Sequence, residues 1–243
     1  MTQLSETKLG DLSRFIGHRR SAEYTLRRYY VDSFLISVAG TISLEVCLDV
    51  GGTRTDKRGF FNIDEWTTQA VYLNLSAKKK PHMLGDAHHL PFSEERFDSI
   101  VYSEVFEHLR YPELALSEAH RVLRPGGNLV ICVPFLYRIH GDPCDYLRFT
   151  DYMWKDLLSL HGFEIIKLER QGAFYSVIHD CLKLFVNARP RNRVTLLFAR
   201  LLLTASQRWV VHRDQQARME NDSFLTSFTT GFGIVARKRD IHS

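Results

Sequence analysis

The chain has 243 residues, 44% of them hydrophobic, with 32 basic against 28 acidic side chains and a net charge of +4. This composition excludes wholesale disorder, and the charge is too mild to imply a nucleic-acid partner. Four scattered cysteines (Cys47, Cys132, Cys144, Cys181) with no CxxC pair exclude a disulfide framework and a spaced structural zinc motif, so no metal is expected. The N-terminus does not read as a signal peptide, and no uncharged apolar run reaches about 18 residues, so a cytoplasmic location is expected.

From Asp11 to about Gly40 the pattern is helical and basic. Arg14, Arg19, Arg20, Arg27 and Arg28 alternate with Leu12, Phe15, Tyr24, Leu26, Tyr30 and Phe34. Such helices either pack on a sheet with their arginines solvated or form a basic lid over an anionic substrate. Leu44–Val50 then reads as a buried parallel strand, an apolar branched run closed by Asp49 and Gly51-Gly52. The two glycines allow a turn that the backbone of a ligand-binding loop can follow closely. In open α/β sheets ligands sit beyond the carboxyl ends of the strands, which makes this turn the expected floor of a nucleotide-type site.

Residues 53–66 occupy the place of a crossover helix but carry poor helical signal, with Gly59, Asn62 and Asp64 scattered through them. A second strand is expected over 70–76 and a third, short one over 83–87, ending in the carboxylate of Asp86. Asn74 lies 25 residues after Asp49, near the roughly 20-residue offset at which such folds place a ribose-binding group. Phe97–Ser103 reads as a fourth strand, and 112–124 as a helix with Ala115, Ala119, Val122 and Leu123 on one face. Pro125-Gly126-Gly127 ends that helix, and 128–133 is a fifth strand.

A loop over 135–150 is dense in His140, Asp142, Asp145, Tyr146 and Arg148. Thr150 is placed as the N-cap of a helix running to about Leu160, followed by a sixth strand over 163–168. An insertion over 172–222 holds an apolar helix candidate at 174–186 and a second at 194–205, which at about 12 residues is too short to span a bilayer. A last strand is expected over 227–236. Strand and helix alternate, which predicts an α/β fold: a doubly wound, mostly parallel, seven-stranded Rossmann-like sheet with a helical insertion before the last strand.

The ordered strand ends are together more specific than any one of them. Asp49-Val-Gly-Gly, Gly85-Asp86-Ala87 with Leu90-Pro91-Phe92, the run Phe97 to His108 and Arg121-Val-Leu-Arg-Pro125-Gly126-Gly127 resemble the class I S-adenosylmethionine-dependent methyltransferases of the small-molecule type. The resemblance covers residues 40–135 well and the rest loosely. It implies one methyltransferase domain over 1–243, with a helical lid at 1–40, a cofactor-binding core at 41–171, a helical cap at 172–222 and a last strand and tail at 223–243. It also implies S-adenosylmethionine as cofactor. Asp49, Gly51 and Gly52 would lie at its amino-acid end and Asn74 at the ribose. Asp86 and Ala87 would meet the adenine, Ser103 and Glu104 the methionine side, and His108 the mouth. Two departures stand out: the usual three alternating glycines are reduced, with Thr53 and Thr55 following Gly52, and the usual acidic group after the second strand is Asn74.

Methyl transfer from a sulfonium is an in-line displacement, so a hydroxyl acceptor needs alignment and a base. His140 is the expected base, with Asp142 or Asp145 orienting it or replacing it, and Tyr146 and Arg148 holding the acceptor. Alternatively His140, Asp145 and Arg148 only tie the loop down. The pattern His140-x-x-Pro-x-Asp-Tyr-x-Arg-x-Thr150 also resembles that of methyltransferases of bacterial polysaccharide biosynthesis, which suggests a glycan or small-molecule hydroxyl as acceptor. Two other functions stay open: a lipid or quinone methyltransferase touching a membrane surface through 172–222, and a methyltransferase-like binding module without catalysis.

Overall fold

The computed structural model describes residues 24–55, 59–141, 144–189 and 192–239. The expected N-terminal lid residues Arg14, Arg19 and Arg20, and Asp142 of the loop, lie outside the described residues. Seven strands form one sheet in the order β3-β2-β1-β4-β5-β7-β6. They are β1 (Val46–Val50), β2 (Gln69–Asn74), β3 (Met83–Leu84), β4 (Phe97–Ser103), β5 (Leu123–Pro134), β6 (Phe163–Gln171) and β7 (Gly231–Lys238). The pairs β1–β2, β1–β4, β2–β3 and β4–β5 are parallel, while β7 runs antiparallel between β5 and β6. The expected fold class is the one observed.

Both faces of the sheet are covered, which is why β1, β4 and β5 read as continuous apolar runs rather than alternating ones. Helix α1 (Leu26–Ala39) lays Val31, Phe34, Leu35 and Val38 on one face against Cys47, Val101, Val130 and Val235. Helices α2 (Pro112–Val122) and α3 (Asp151–Leu160) cover the other, with Ala115, Leu116 and Ala119 and with Trp154, Leu157 and Leu158 against Ile100, Tyr102, Leu129, Ile131 and Ile234. Between β1 and β2 the described residues contain only a short 3-10 turn, Ile63–Glu65, where a crossover helix would ordinarily stand.

Two local expectations are corrected and one is met. Helix α2 ends at Val122, and Pro125-Gly126-Gly127 lies inside β5, where Gly126 takes φ +69° and the register to β4 shifts. Thr150 is the N-cap of α3 as expected, without a side-chain capping hydrogen bond, and Asp151 in the first turn pairs with Arg170. The second insertion helix is more than twice as long as its apolar core suggested: α4 (Phe174–Ala188) is followed by α5, which runs 27 residues from Arg193 to Met219. At 1.5 Å per residue that is roughly 40 Å, so α5 is long enough to cross a membrane, contrary to the sequence expectation. Its most apolar 18-residue window has a mean hydropathy of 1.2, with 22% of that window buried.

Buried carboxylates tie α5 to α4 and α4 to α1. Asp214 of α5 accepts from the backbone N–H of Ala173 (2.8 Å), Tyr175 (3.1 Å) and Ser176 (3.2 Å), the open end of α4. Asp180 of α4 accepts from the N–H of Leu26 (3.0 Å) and Arg27 (2.7 Å), the open end of α1. Each satisfies donors that a helix start leaves unpaired, and a negative charge there also complements the helix dipole. Gln207 donates to the Tyr24 carbonyl at the same junction.

Candidate active site

The carboxyl ends of β1, β2 and β4 open into one cleft of about 730 Å³. Its floor is the turn after β1. Gly51 has φ +78°, and a Cβ there would stand 2.5 Å from Val105 Cγ2; a Cβ on Gly52 would stand 2.2 Å from the Asp49 carboxylate. Gly51 thus requires glycine, and a side chain on Gly52 would have to push the Asp49 carboxylate aside, so two glycines suffice for a turn that a larger ligand can approach. The nine residues expected to hold a cofactor, Asp49, Gly51, Gly52, Asn74, Asp86, Ala87, Ser103, Glu104 and His108, all line this cleft.

Their hydrogen bonds redistribute the expected roles. The Asn74 amide donates to the carbonyls of Gly51 (2.8 Å) and Gly52 (3.0 Å), and its oxygen accepts from Ser76 N–H (3.0 Å). Both amide protons are thus spent bracing the glycine turn, and one lone pair on Oδ1 remains for a ligand hydroxyl. Asp86 Oδ1 accepts from the backbone N–H of His88 (2.9 Å) and from its ring (2.6 Å). Burial alone would raise the Asp86 carboxyl, but these two bonds outweigh it and hold the group below the ordinary carboxylate range.

Glu104, directly after β4, has φ +58°, a left-handed conformation unusual for a residue with a Cβ. Its carboxylate makes a two-pronged pair with the guanidinium of Arg27, whose third nitrogen donates to Gln171. Arg27 is buried and seats over Gly231, where a side chain would collide with it. Neither expectation for this arginine holds: it is not solvated and not a lid, but the counter-ion of a cleft carboxylate. Arg28 does line the cleft, paired with Asp32 one helical turn away.

The loop after β5 folds over the 3-10 turn Phe106–His108 beside the cleft. Tyr146 N–H donates to the Glu107 carbonyl (2.7 Å), while the Tyr146 side chain is exposed. The Asp145 side chain is 3% exposed, is bonded by two nitrogens of Arg148, and accepts from the His140 backbone N–H (3.0 Å). Burial would raise the Asp145 carboxyl, but Arg148 and His140 more than offset it and keep it below the usual range. That makes Asp145 a poor proton acceptor near neutral pH, so its expected role as an alternative base gives way to orienting His140. Arg148, expected to hold an acceptor, spends both terminal nitrogens on Asp145.

His140 stands edge-on to His108, ring centroids 5.1 Å apart, and turns Nε2 toward Glu107 Oε1 at 3.9 Å. Glu107 was not singled out from the sequence. It is fully buried, and neither carboxylate oxygen has a hydrogen-bond partner among the described residues. Burial, reinforced by the nearby Glu104 charge, pushes its carboxyl well above the ordinary value. The sequence signal was faint: a carboxylate between Phe106 and Leu109, two residues that are themselves buried.

A seven-stranded sheet in this order, with its last strand antiparallel and a glycine turn under a cleft at the strand ends, decides the fold. It is the class I methyltransferase fold. Residues 55–131 match a methyltransferase domain family. The demethylmenaquinone methyltransferase of Streptomyces griseus is 42% identical over 88 residues, 33% of this chain and 38% of that protein. The mitochondrial 2-methoxy-6-polyprenyl-1,4-benzoquinol methylase of Rattus norvegicus is 43% identical over 84 residues, 35% of this chain and 22% of that protein. The chain therefore spans less than two fifths of the length of these curated relatives. Among solved structures, the Burkholderia thailandensis 1,6-didemethyltoxoflavin-N1-methyltransferase, with bound 1,6-didemethyltoxoflavin and S-adenosylhomocysteine, superposes with a TM-score of 0.53. It is 16% identical, over 98% of this chain and 90% of that one.

Proposed function

We propose that this protein is an S-adenosylmethionine-dependent methyltransferase acting on a hydroxyl of a small-molecule or glycan acceptor. The observation that carries the reading is the convergence of three strand ends on one cleft floored by Gly51 and Gly52. The matched family and the S-adenosylhomocysteine held by the structural neighbour support the choice of cofactor. Asp86 and Ala87 would meet the adenine, the remaining Asn74 lone pair a ribose hydroxyl, and Asp49 and the glycine turn the amino-acid end. In the reaction the S–CH3 bond breaks as an O–CH3 bond forms, and the sulfonium becomes a neutral thioether. The acceptor proton is taken up at His140, whose ring Asp145 orients.

Isothermal calorimetry with S-adenosylmethionine tests the reading. Saturable binding is expected, with S-adenosylhomocysteine formed when an acceptor is supplied; no heat at millimolar cofactor would reject it. Asp86→Ala is expected to weaken cofactor binding by about 1–3 kcal/mol, the scale of a lost hydrogen-bond partner. An unchanged dissociation constant would remove Asp86 from the adenine site.

A second reading, a lipid-linked or quinone-type acceptor met at a membrane surface, draws on the hairpin α4–α5. Leu197 and Phe198 are 61% and 63% exposed, and Val194, Leu202, Ile178 and Leu182 add to the same end of the hairpin, with Arg189 and Arg193 at its tip. Apolar side chains flanked by arginines suit the boundary of an anionic bilayer. The matched relatives include quinone methyltransferases. The full chain is expected to co-sediment with anionic phosphatidylglycerol vesicles, and the L197E/F198E variant to bind at least about tenfold more weakly. A native protein left in the supernatant would exclude this surface contact.

A further inference from the structure

We infer that Glu107, His108 and His140 form a binding site for a divalent transition-metal ion of the zinc type. These three side chains each offer one ligand atom, all within 4.8 Å of one another. Glu107 Oε1 lies 3.7 Å from His108 Nε2 and 3.9 Å from His140 Nε2. Ligands at about 2.0–2.1 Å from zinc in tetrahedral geometry stand about 3.3–3.4 Å apart, so an ion would draw each imidazole toward Glu107 by about half an ångström and close no pair of ligand atoms by more than about 1.5 Å.

Two further observations distinguish this cluster from a chance grouping. The first is the state of Glu107: a fully buried carboxylate with neither oxygen hydrogen-bonded among the described residues. A buried acceptor left in this way is costly unless something occupies it, and a cation between it and two imidazoles removes that cost. The second is how the imidazoles are held. His108 Nδ1 lies 2.5 Å from the backbone carbonyl of Cys144, and His140 Nδ1 lies 3.2 Å from Asp145 Oδ2. In each ring the nitrogen away from Glu107 meets an oxygen acceptor, which places the proton on Nδ1 and leaves the Nε2 lone pair directed at the carboxylate. That pattern, a carbonyl or carboxylate behind each imidazole, is how metal-bound histidines are oriented and made more basic.

Two imidazoles and one carboxylate suit zinc and its first-row neighbours better than magnesium or calcium, which prefer all-oxygen shells. Three protein ligands also leave a coordination position open. His108 lines the cleft, so that position lies beside the proposed cofactor site. Resting on the methyl-transfer reading, the ion would bind the acceptor oxygen, lower its pKa and release its proton to solvent, doing the work otherwise assigned to the free His140 ring. Neither Glu107 nor its two partners announces this in the chain, because His140 lies 32 positions after His108, without a ligand-like spacing.

The test is spectroscopic and needs no turnover. The full chain, stripped with a chelator and titrated with Co2+, is expected to develop the visible d–d bands of a tetrahedral site, saturating at one equivalent and abolished by one equivalent of Zn2+. Glu107→Gln and His108→Ala, each checked by circular dichroism, are expected to lose those bands. Absence of a saturable spectrum in the native chain, or an unchanged spectrum in both folded variants, would overturn the site. A parallel S-adenosylmethionine titration of the stripped protein separates the two proposals. Cofactor binding without cobalt bands leaves the methyltransferase reading standing and removes the metal; cobalt bands without cofactor binding do the reverse.

Discussion

Asp214→Ala is expected to lower the stability of the protein by about 3–5 kcal/mol, although residue 214 touches no part of the cleft. The Asp214 side chain is almost fully buried and receives three backbone N–H groups at the start of α4, at 2.8, 3.1 and 3.2 Å. Alanine leaves all three donors buried without an acceptor, and each orphaned group costs about 1–3 kcal/mol. Helix α4 has no alternative cap, since its N-cap residue, Ala173, has no polar side chain. At about 2–4 °C per kcal/mol for a chain of this size, the thermal midpoint should fall by roughly 10 °C. Asp214→Asn, which keeps one acceptor oxygen, should fall less. Calorimetric melting of the three proteins checks this; a midpoint for Asp214→Ala within about a degree of native would show that the α4 start finds other partners.

His140→Ala is expected to reduce turnover by about 10²-fold or more while changing the dissociation constant of S-adenosylmethionine by less than about twofold. The His140 side chain is positioned twice over by Asp145, through the backbone N–H at 3.0 Å and through Nδ1 at 3.2 Å, and Asp145 is itself held by Arg148. Such bracing fixes the ring with Nε2 toward Glu107 and His108, beside the cleft. The expected loss is the same whether Nε2 removes a proton or binds an ion. None of the contacts drawn to the cofactor passes through His140, so a loss confined to binding, with turnover at saturation intact, would contradict the assignment. Near-native turnover would move acceptor activation to another side chain of the 135–150 loop.

The sheet and the cleft were legible in the chain because parallel strands buried on both faces must be apolar throughout, and because a close-approach turn admits only glycine. Val46–Val50, Gln69–Asn74 and Phe97–Ser103 therefore fall within a residue or two of where the runs of Val, Leu, Ile and Tyr place them. The same logic brought Asp49, Asn74, Asp86 and Glu104 to one rim, since consecutive strands in a parallel sheet end on the same side. It did not reveal what those side chains hold. Asn74 braces Gly51 and Gly52, and Glu104 is neutralised by Arg27 from a helix 77 residues earlier.

Helix α5 shows where the pattern misled. Its second half buries Gln207, Val210, Val211, Asp214 and Ala217 at helical spacing, but two of the five are polar and hide the stripe. Those polar groups are buried because they satisfy the backbone just ahead of α1 and at the start of α4, partners that do not exist until the chain has folded. Glu107 was missed for a related reason: its neighbours in space, His140 and the loop that carries it, are brought there only by the turn after β5.

By itself, then, the sequence determined where the strands lie, the glycine-floored crevice and the set of residues around it, because burial and backbone geometry leave a local imprint on residue type. Only the tertiary structure decided which carboxylates are paired, which helix ends are capped and which three ligand atoms meet at Glu107. Hydrogen bonds and ion contacts between distant segments depend on distance in space, and nothing in residue spacing records it.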